Sequence, residues 1–131
     1  MIVDSSAIVA IAYDEPECDA LVVALTESVR PRMSAATYVE AGIVLDSSGI
    51  PEFAARLDRL LGSHDIHLVD VTEAQARIAR RAYRDFGRGS GHRARLNYGD
   101  CFSYALAIDT DEPLLFTGDD FAHTDVRRAA W

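Results

Sequence analysis

The stretch that decides the fold is Met1-Ile2-Val3-Asp4-Ser5-Ser6. A short apolar run that ends at polar residues is typical of a buried strand, and Ser5 or Ser6 can cap the helix that the apolar residues 7–12 predict. Farther along the chain, short apolar segments alternate with amphipathic ones, and no hairpin turn of the Asn-Gly kind separates them. This order predicts a parallel sheet covered by helices.

The remaining elements can be placed along the chain by periodicity and by their capping residues. Helices are predicted from about residue 14, over about 34–48, over about 52–61, from Thr72 to about residue 85 and from Asp100 onward. Extended segments are predicted at 31–34, 66–69 and 114–116, and residues 125–131 either add a final strand or cover a sheet edge. We therefore predict one α/β domain over residues 1–131, with three layers and a mostly parallel sheet of about four to five strands.

Length and composition favour an ordinary globular protein. The chain has 131 residues, of which 49% are hydrophobic and 26% charged, which is enough apolar surface for one core without disulfides. No apolar run reaches the roughly 20 residues that span a bilayer, and no secretory signal is visible. Because Cys18 and Cys101 are most simply reduced thiols, we expect a cytoplasmic protein that has no membrane contact.

The arginines are unevenly distributed. The net charge is −8, yet seven of the thirteen basic residues lie between Arg77 and Arg95 with only Asp85 opposing them. This segment therefore carries about +6 and the remainder about −14. It is either a solvated helix face with a basic loop, or a surface that contacts a phosphate backbone. Arg93 and Arg95 are the members nearest in sequence to Asp100, and they are the candidate contacts to a nucleic-acid backbone.

Four acids carry the chemical hypothesis. Asp4 and Asp119 each follow a predicted strand, and parallel folds place ligands beyond the carboxyl ends of their strands. Asp100 starts a helix, where a carboxylate alone would be explained by the helix dipole. Glu40 has Ala36, Ile43 and Val44 as helical neighbours, so it either needs a cation or lies exposed at the edge of that face.

An all-oxygen cluster suits Mg²⁺, with Mn²⁺ as a possible substitute. Such a metal can convert water into a nucleophile for a phosphodiester and neutralise the departing oxyanion. The four histidines show no metal-binding spacing, so zinc is not expected.

Four segments together resemble the PIN-domain ribonucleases, and more narrowly the VapC-type toxins of bacterial toxin-antitoxin systems. They are IVDSSA (residues 2–7), SAATYVE (34–40), LNYGDCFSY (96–104) and LLFTGDDF (114–121). Each segment alone is weakly specific, whereas their order and spacing over nearly the whole chain are specific.

The resemblance implies a PIN-like fold and a Mg²⁺-dependent endoribonuclease that leaves a 3′-hydroxyl and a 5′-phosphate. It implies that Asp4 and Asp100 are the principal metal ligands, that Glu40 completes the acidic pocket, and that Asp119 is the fourth acid. Ser6 would help to arrange Asp4. Asp120 is adjacent to Asp119, so either could fill the fourth position. The resemblance also implies a homodimer that a cognate antitoxin protein inhibits.

Other function classes remain as alternatives. Aspartyl-phosphate chemistry is disfavoured because the chain has no lysine, and neither a P-loop nor a dinucleotide fingerprint is present. A housekeeping RNA-processing nuclease would use the same acids, and a non-catalytic module would use the same fold to hold RNA or a protein partner. The presence of all four acids disfavours the module.

Overall fold

The computed structural model describes residues 1–131 as a parallel sheet between two layers of helices. The strands are β1 (Ile2–Val3), β2 (Arg32–Ser34), β3 (His67–Val69) and β4 (Leu114–Leu115). The helices are α1 (Ser5–Ala12), α2 (Cys18–Glu27), α3 (Ala35–Asp46), α4 (Pro51–Ser63), α5 (Glu73–Phe86) and α6 (Asp100–Thr110), followed by a 3-10 turn at Phe121–His123. The predicted α/β class with about four to five strands is confirmed.

The sheet has the order β3-β2-β1-β4, and every pairing is parallel. β1 and β4 are apolar on both faces because each face is covered by helices. Val3 and Leu115 pack into a core built largely by α1 to α4, whereas Ile2 and Leu114 pack into a second core with α5 and α6. The short apolar runs at both ends of the chain are therefore the neighbouring strands β1 and β4 of a three-layer domain.

The first helix begins differently from the prediction. Its cap is Asp4, whose carboxylate accepts a hydrogen bond from the Ser6 backbone N–H, and the predicted cap from Ser5 or Ser6 is wrong. Asp4 holds the extended conformation of a cap residue and is buried. A carboxylate is favoured there by the free N–H groups of the first turn.

Two further details refine the sequence prediction. Thr72 caps α5 because its hydroxyl accepts a hydrogen bond from the Gln75 N–H. The Gln75 side chain donates to Asp109 and so does not return a hydrogen bond to the backbone of Thr72. The final segment lies along the free edge of β4, where Arg128 forms an isolated parallel bridge with Leu114. None of the helices has the length and apolar character needed to cross a membrane.

Candidate active site

The candidate site lies where the strand order changes direction. From β1 the chain moves to β2 and β3 on one side, and it then returns across the sheet to form β4 on the other side of β1. Loops that leave neighbouring strands in opposite directions open a crevice at this point. Asp4 follows β1 directly, and the loop that contains Asp119 and Asp120 follows β4.

Asp4 is held by the first turn of α1. Its Oδ2 accepts from the Ser6 N–H at 2.9 Å and from the Ser6 hydroxyl at 2.7 Å. The Thr117 N–H donates to the same hydroxyl at 3.1 Å, so Ser6 joins Asp4 to the segment after β4. The other oxygen, Oδ1, is buried and has no hydrogen-bond partner. A buried carboxylate oxygen without a donor is costly, and a ligand would satisfy it.

Asp100 lies in the first turn of α6 and is locked by Asn97. Its Oδ2 accepts from the Asn97 N–H at 2.6 Å, while the Asp100 N–H donates to the Asn97 side-chain oxygen at 2.9 Å. These reciprocal bonds resemble a capping box and fix the orientation of the carboxylate. Asp100 is buried, and its helix packs against α5 and the sheet. The rigid setting of this acid is therefore built by its own local sequence.

Glu40 reaches the site from the middle of α3. The Ser5 hydroxyl donates to its Oε2 at 3.1 Å. A Cβ atom on Gly99 would overlap the Glu40 carboxylate, so the carboxylate occupies the space that any side chain at position 99 would need. Glycine is consequently the residue that allows the start of α6 to approach α3 so closely.

The charges of these acids act on one another. The pKa of Asp100 is raised to about 7, chiefly by burial and also by the carboxylates of Asp4, Asp120 and Glu40, with the hydrogen bond from Asn97 opposing the shift. The pKa of Glu40 is also raised, first by burial and then by the charge of Asp4, with the Ser5 hydrogen bond opposing the shift. Without a cation, this site favours partly protonated acids.

Asp119 and Asp120 differ in their effect on this cluster. Both are exposed in the loop after β4. Asp120 is among the charges that raise the pKa of Asp100, and Asp119 is not. The charges of Asp4, Glu40 and Asp120 thus all act on Asp100.

The residues present fit a divalent metal. No group of three or more His, Cys, Asp or Glu side chains is close enough to form a ready-made metal site. Mg²⁺ does not require one, because it usually keeps several waters and is bound through one or two carboxylates. Asp4 with its unpartnered Oδ1 and Asp100 with its raised pKa supply that oxygen-only donor set. A bound cation would satisfy Oδ1 of Asp4 and would offset the cost of ionising the buried Asp100.

An apolar groove opens beside Glu40. It lies between α3 and the start of α6, where Val39, Ile43 and Tyr98 are well exposed. Arg88 lines the groove, whereas Arg93 and Arg95 are exposed in the preceding loop and do not line it. The apolar neighbours of Glu40 therefore face an open groove rather than the core.

Comparison with known proteins identifies the family. The family model described as "PIN domain" matches residues 1–127. The chain belongs to the PIN domain family. Among its relatives, this PIN domain is 57% identical over 129 residues to "Ribonuclease VapC28" of Mycobacterium tuberculosis, covering 98% of this chain and 97% of that protein. It is 54% identical over 129 residues to "Ribonuclease VapC42" of the same species, covering 98% of each. The resemblance to PIN-domain ribonucleases of the VapC type is confirmed.

Solved structures support the fold of this PIN domain. The crystal structure of Mycobacterium tuberculosis VapC20, described as a sarcin-ricin loop cleaving toxin, superposes with a TM-score of 0.74 at 14% sequence identity, covering 95% of both chains. A toxin-antitoxin complex from Klebsiella pneumoniae superposes with a TM-score of 0.69 at 14% identity, covering 95% of this chain and 92% of that one. At these identities the likeness shows the architecture.

Sequence reasoning did not single out three residues of the site. Asn97 stands three positions before Asp100, which is the spacing of a reciprocal cap and could have been recognised. Ser5 was expected to cap a helix, and it contacts Glu40 instead. Gly99 lies within the segment 96–104, but nothing in that segment indicates that Glu40 is close to it. The contact depends on the packing of α3 against α6.

Proposed function

We propose that this PIN domain is a Mg²⁺-dependent endoribonuclease and the toxin component of a type II toxin-antitoxin system. The observation that carries the proposal is the placement of Asp4, Glu40 and Asp120 so that their charges act on the buried carboxyl of Asp100. An arrangement that raises the pKa of an acid is costly, and sites for cations and for catalysis are where such costs concentrate. Relatives named VapC ribonucleases, at 54% to 57% identity, support the same activity.

In this proposal Asp4 and Asp100 hold Mg²⁺, with Mn²⁺ as a possible substitute. The metal, when bound, supplies an activated water and a positive charge for the departing oxyanion. Ser6 and Asn97 hold the two aspartates in place through the hydrogen bonds described above. Glu40 and Asp120 complete the acidic pocket, and burial together with the charge of Asp4 raises the pKa of Glu40, which favours proton uptake by its carboxylate.

The fourth acid in this proposal is Asp120 rather than Asp119. The supporting observation is that the charge of Asp120 reaches Asp100. Asp119 then stands outside the pocket, on the rim of the same loop. Cleavage in this site would leave a 3′-hydroxyl and a 5′-phosphate, as the resemblance implies.

The partners in this proposal are RNA, a cognate antitoxin and a second copy of the chain. The apolar groove beside Glu40 offers a surface for an antitoxin segment that would block the acids. The homodimer is proposed from the resemblance to the VapC-type toxins. The solved relative from Klebsiella pneumoniae is described as a toxin-antitoxin complex, which supports pairing with an antitoxin.

The test is cleavage of total cellular RNA by the purified protein, with the ends of the products mapped. We expect discrete cuts in the presence of Mg²⁺ or Mn²⁺, no cuts after chelation, and no cuts by the Asp100→Asn variant. Asn keeps the size of the side chain and can accept the Asn97 hydrogen bond, so the fold should be retained. Undiminished cleavage by this variant, or cleavage that survives chelation, would overturn the proposal.

A further inference from the structure

The exposed face of α5 concentrates positive charge on a protein whose net charge is −8. Arg77, Arg80, Arg81 and Arg84 lie three, four and seven positions apart along the helix, so they share one face, and Ala79 and Ala82 bury the opposite face. The four arginines and Tyr83 line one surface depression of about 450 Å³. This concentration runs against the overall charge of the molecule.

Two of these arginines form no direct ion pair, although the pKa of Asp85 is lowered by the hydrogen bond from Arg84 and also by the charge of Arg81. Arg77 pairs with Glu73, and Arg84 pairs with Asp85 at 2.7 Å. Arg80 and Arg81 form no ion pair and are exposed. An arginine without a carboxylate partner presents its planar donors to a phosphate.

Two tyrosines connect these arginines to the acids. A second depression is lined by Arg80, Tyr83 and Tyr98, so it adjoins the first through Arg80 and Tyr83. Tyr98 also lines the groove that contains Glu40. We name Arg80, Arg81, Tyr83 and Tyr98 the arginine-tyrosine track.

The ring of Tyr98 is suited to stacking. Its side chain is 76% exposed, and Phe102 supports it in an edge-on arrangement with 5.0 Å between ring centroids. Tyr98 lies in the turn before α6, and its exposed ring offers an apolar face on which a base can stack. Tyr83 is also exposed, and it lines both depressions.

We propose that the arginine-tyrosine track binds single-stranded RNA, with phosphates at Arg80 and Arg81 and an unpaired base stacked on Tyr98. The inference rests on the proposed function, since the track leads a strand to the acids at Asp100. Cationic side chains beside aromatic ones are the common means of holding a single strand without reading its sequence. A duplex could contact the arginines, but its stacked bases would not reach Tyr98.

The test measures binding of a fluorescein-labelled RNA of about 12 mixed-sequence nucleotides by anisotropy, with the full chain carrying Asp100→Asn, in EDTA. For single strands the slope of log affinity against log salt is about −0.7 per neutralised phosphate. The double variant Arg80→Ala, Arg81→Ala should therefore bind about tenfold more weakly, and its slope should be shallower by about 1.4. Arg30→Ala with Arg59→Ala removes the same charge from exposed positions elsewhere, and it should change the affinity less than about twofold.

Stacking is tested separately at Tyr98. Tyr98→Ala should weaken binding of the single strand by about tenfold, Tyr98→Phe should restore most of that loss, and neither change should affect a duplex of the same sequence. Equal losses in the two arginine pairs would overturn the proposal, as would loss of duplex binding in Tyr98→Ala. So would displacement of the RNA by polyglutamate as readily as by unlabelled RNA.

The binding measurement is independent of catalysis. If the wild-type protein cleaves RNA while the Arg80 and Arg81 variant keeps the parent affinity, the track is refuted and the proposed function stands. If the wild-type protein cleaves nothing while these variants lose affinity as expected, the proposed ribonuclease activity is refuted and the binding surface stands.

Discussion

The acid pocket and the exposed face of α5 carry charges of opposite sign, and they are built in opposite ways. Asp4 and Asp100 are buried, and each is fixed by hydrogen bonds from residues within three positions in the chain. Arg80 and Arg81 are exposed and fixed by nothing but the helix that carries them. Burial makes each acid expensive in free energy, whereas an exposed arginine costs little.

Because of this difference, substitutions in the two regions should have different effects. Removing a buried carboxylate from a crowded site relieves repulsion, so activity and stability should change in opposite directions. Removing an exposed arginine should change neither the fold nor the chemistry, and only the binding of a ligand.

The largest effect is expected for Asp4→Asn. Loss of a principal metal ligand should lower the rate of RNA cleavage by at least about 10³-fold, because the metal supplies both the nucleophile and charge stabilisation. The amide still accepts the hydrogen bonds from Ser6. A rate within tenfold of wild type at saturating Mg²⁺ would remove Asp4 from the site, and circular dichroism would verify the fold.

Gly99→Ala should give the next largest effect. The new methyl group overlaps the end of the Glu40 side chain, which can swing away, so the variant should fold normally but lose about 10- to 100-fold in cleavage rate. Gly62→Ala is the matched control, since that helix position has open space around it. Equal activity in the two alanine variants would show that the position of Glu40 does not matter.

Asp119 and Asp120 should differ by a smaller amount. Neutralising Asp120 as Asn should lower cleavage by about tenfold, because its charge acts on Asp100, whereas Asp119→Asn should change it less than about twofold. Steady-state rates at several Mg²⁺ concentrations would measure both. If Asp119→Asn lowers the cleavage rate more than Asp120→Asn does, Asp119 is the fourth acid.

The smallest effect concerns stability without metal. The pKa of Asp100 in the folded protein, about 7, lies above its ordinary value of 3.8, so the folded state binds more protons between these pH values. Through this group the free energy of unfolding therefore falls as pH rises from about 4 to about 7. Asp100→Asn should remove that fall and stabilise the metal-free protein by roughly 1 to 2 kcal/mol at pH 8.

Urea unfolding in EDTA at pH 5 and pH 8 would measure this difference. Asp70→Asn is the control, because Asp70 is exposed. If the wild-type protein and Asp100→Asn lose the same free energy of unfolding between the two pH values, the pKa of Asp100 is not raised in the folded protein.

The sequence predicted the parts that depend on local pattern. The apolar runs at residues 1–3 and 114–116 contain the neighbouring strands β1 and β4, and the acids that follow them lie at the same edge because parallel strands share an end. The start of α6 at Asp100 was also predicted correctly, because the signals that begin a helix lie in the local sequence.

The remaining features depend on packing. The contact between Ser5 and Glu40 joins α1 to α3, and the fit of Glu40 against Gly99 joins α3 to α6, so neither leaves a periodic signal. The apolar neighbours of Glu40 gave the right pattern, but the pattern could not tell a core from an open groove. The arginine-tyrosine track likewise depends on the packing of α5 beside the start of α6, which the sequence pattern does not show.

The most direct test of the acid pocket is a calorimetric titration of Mn²⁺ into the metal-free protein at pH 7. The account predicts binding by the wild-type protein with release of protons, seen as a heat that changes with the ionisation enthalpy of the buffer, because Asp100 is partly protonated before the metal arrives. It predicts loss of that binding in Asp100→Asn. Absence of Mn²⁺ binding by the wild-type protein, or equal binding by the variant, would contradict it.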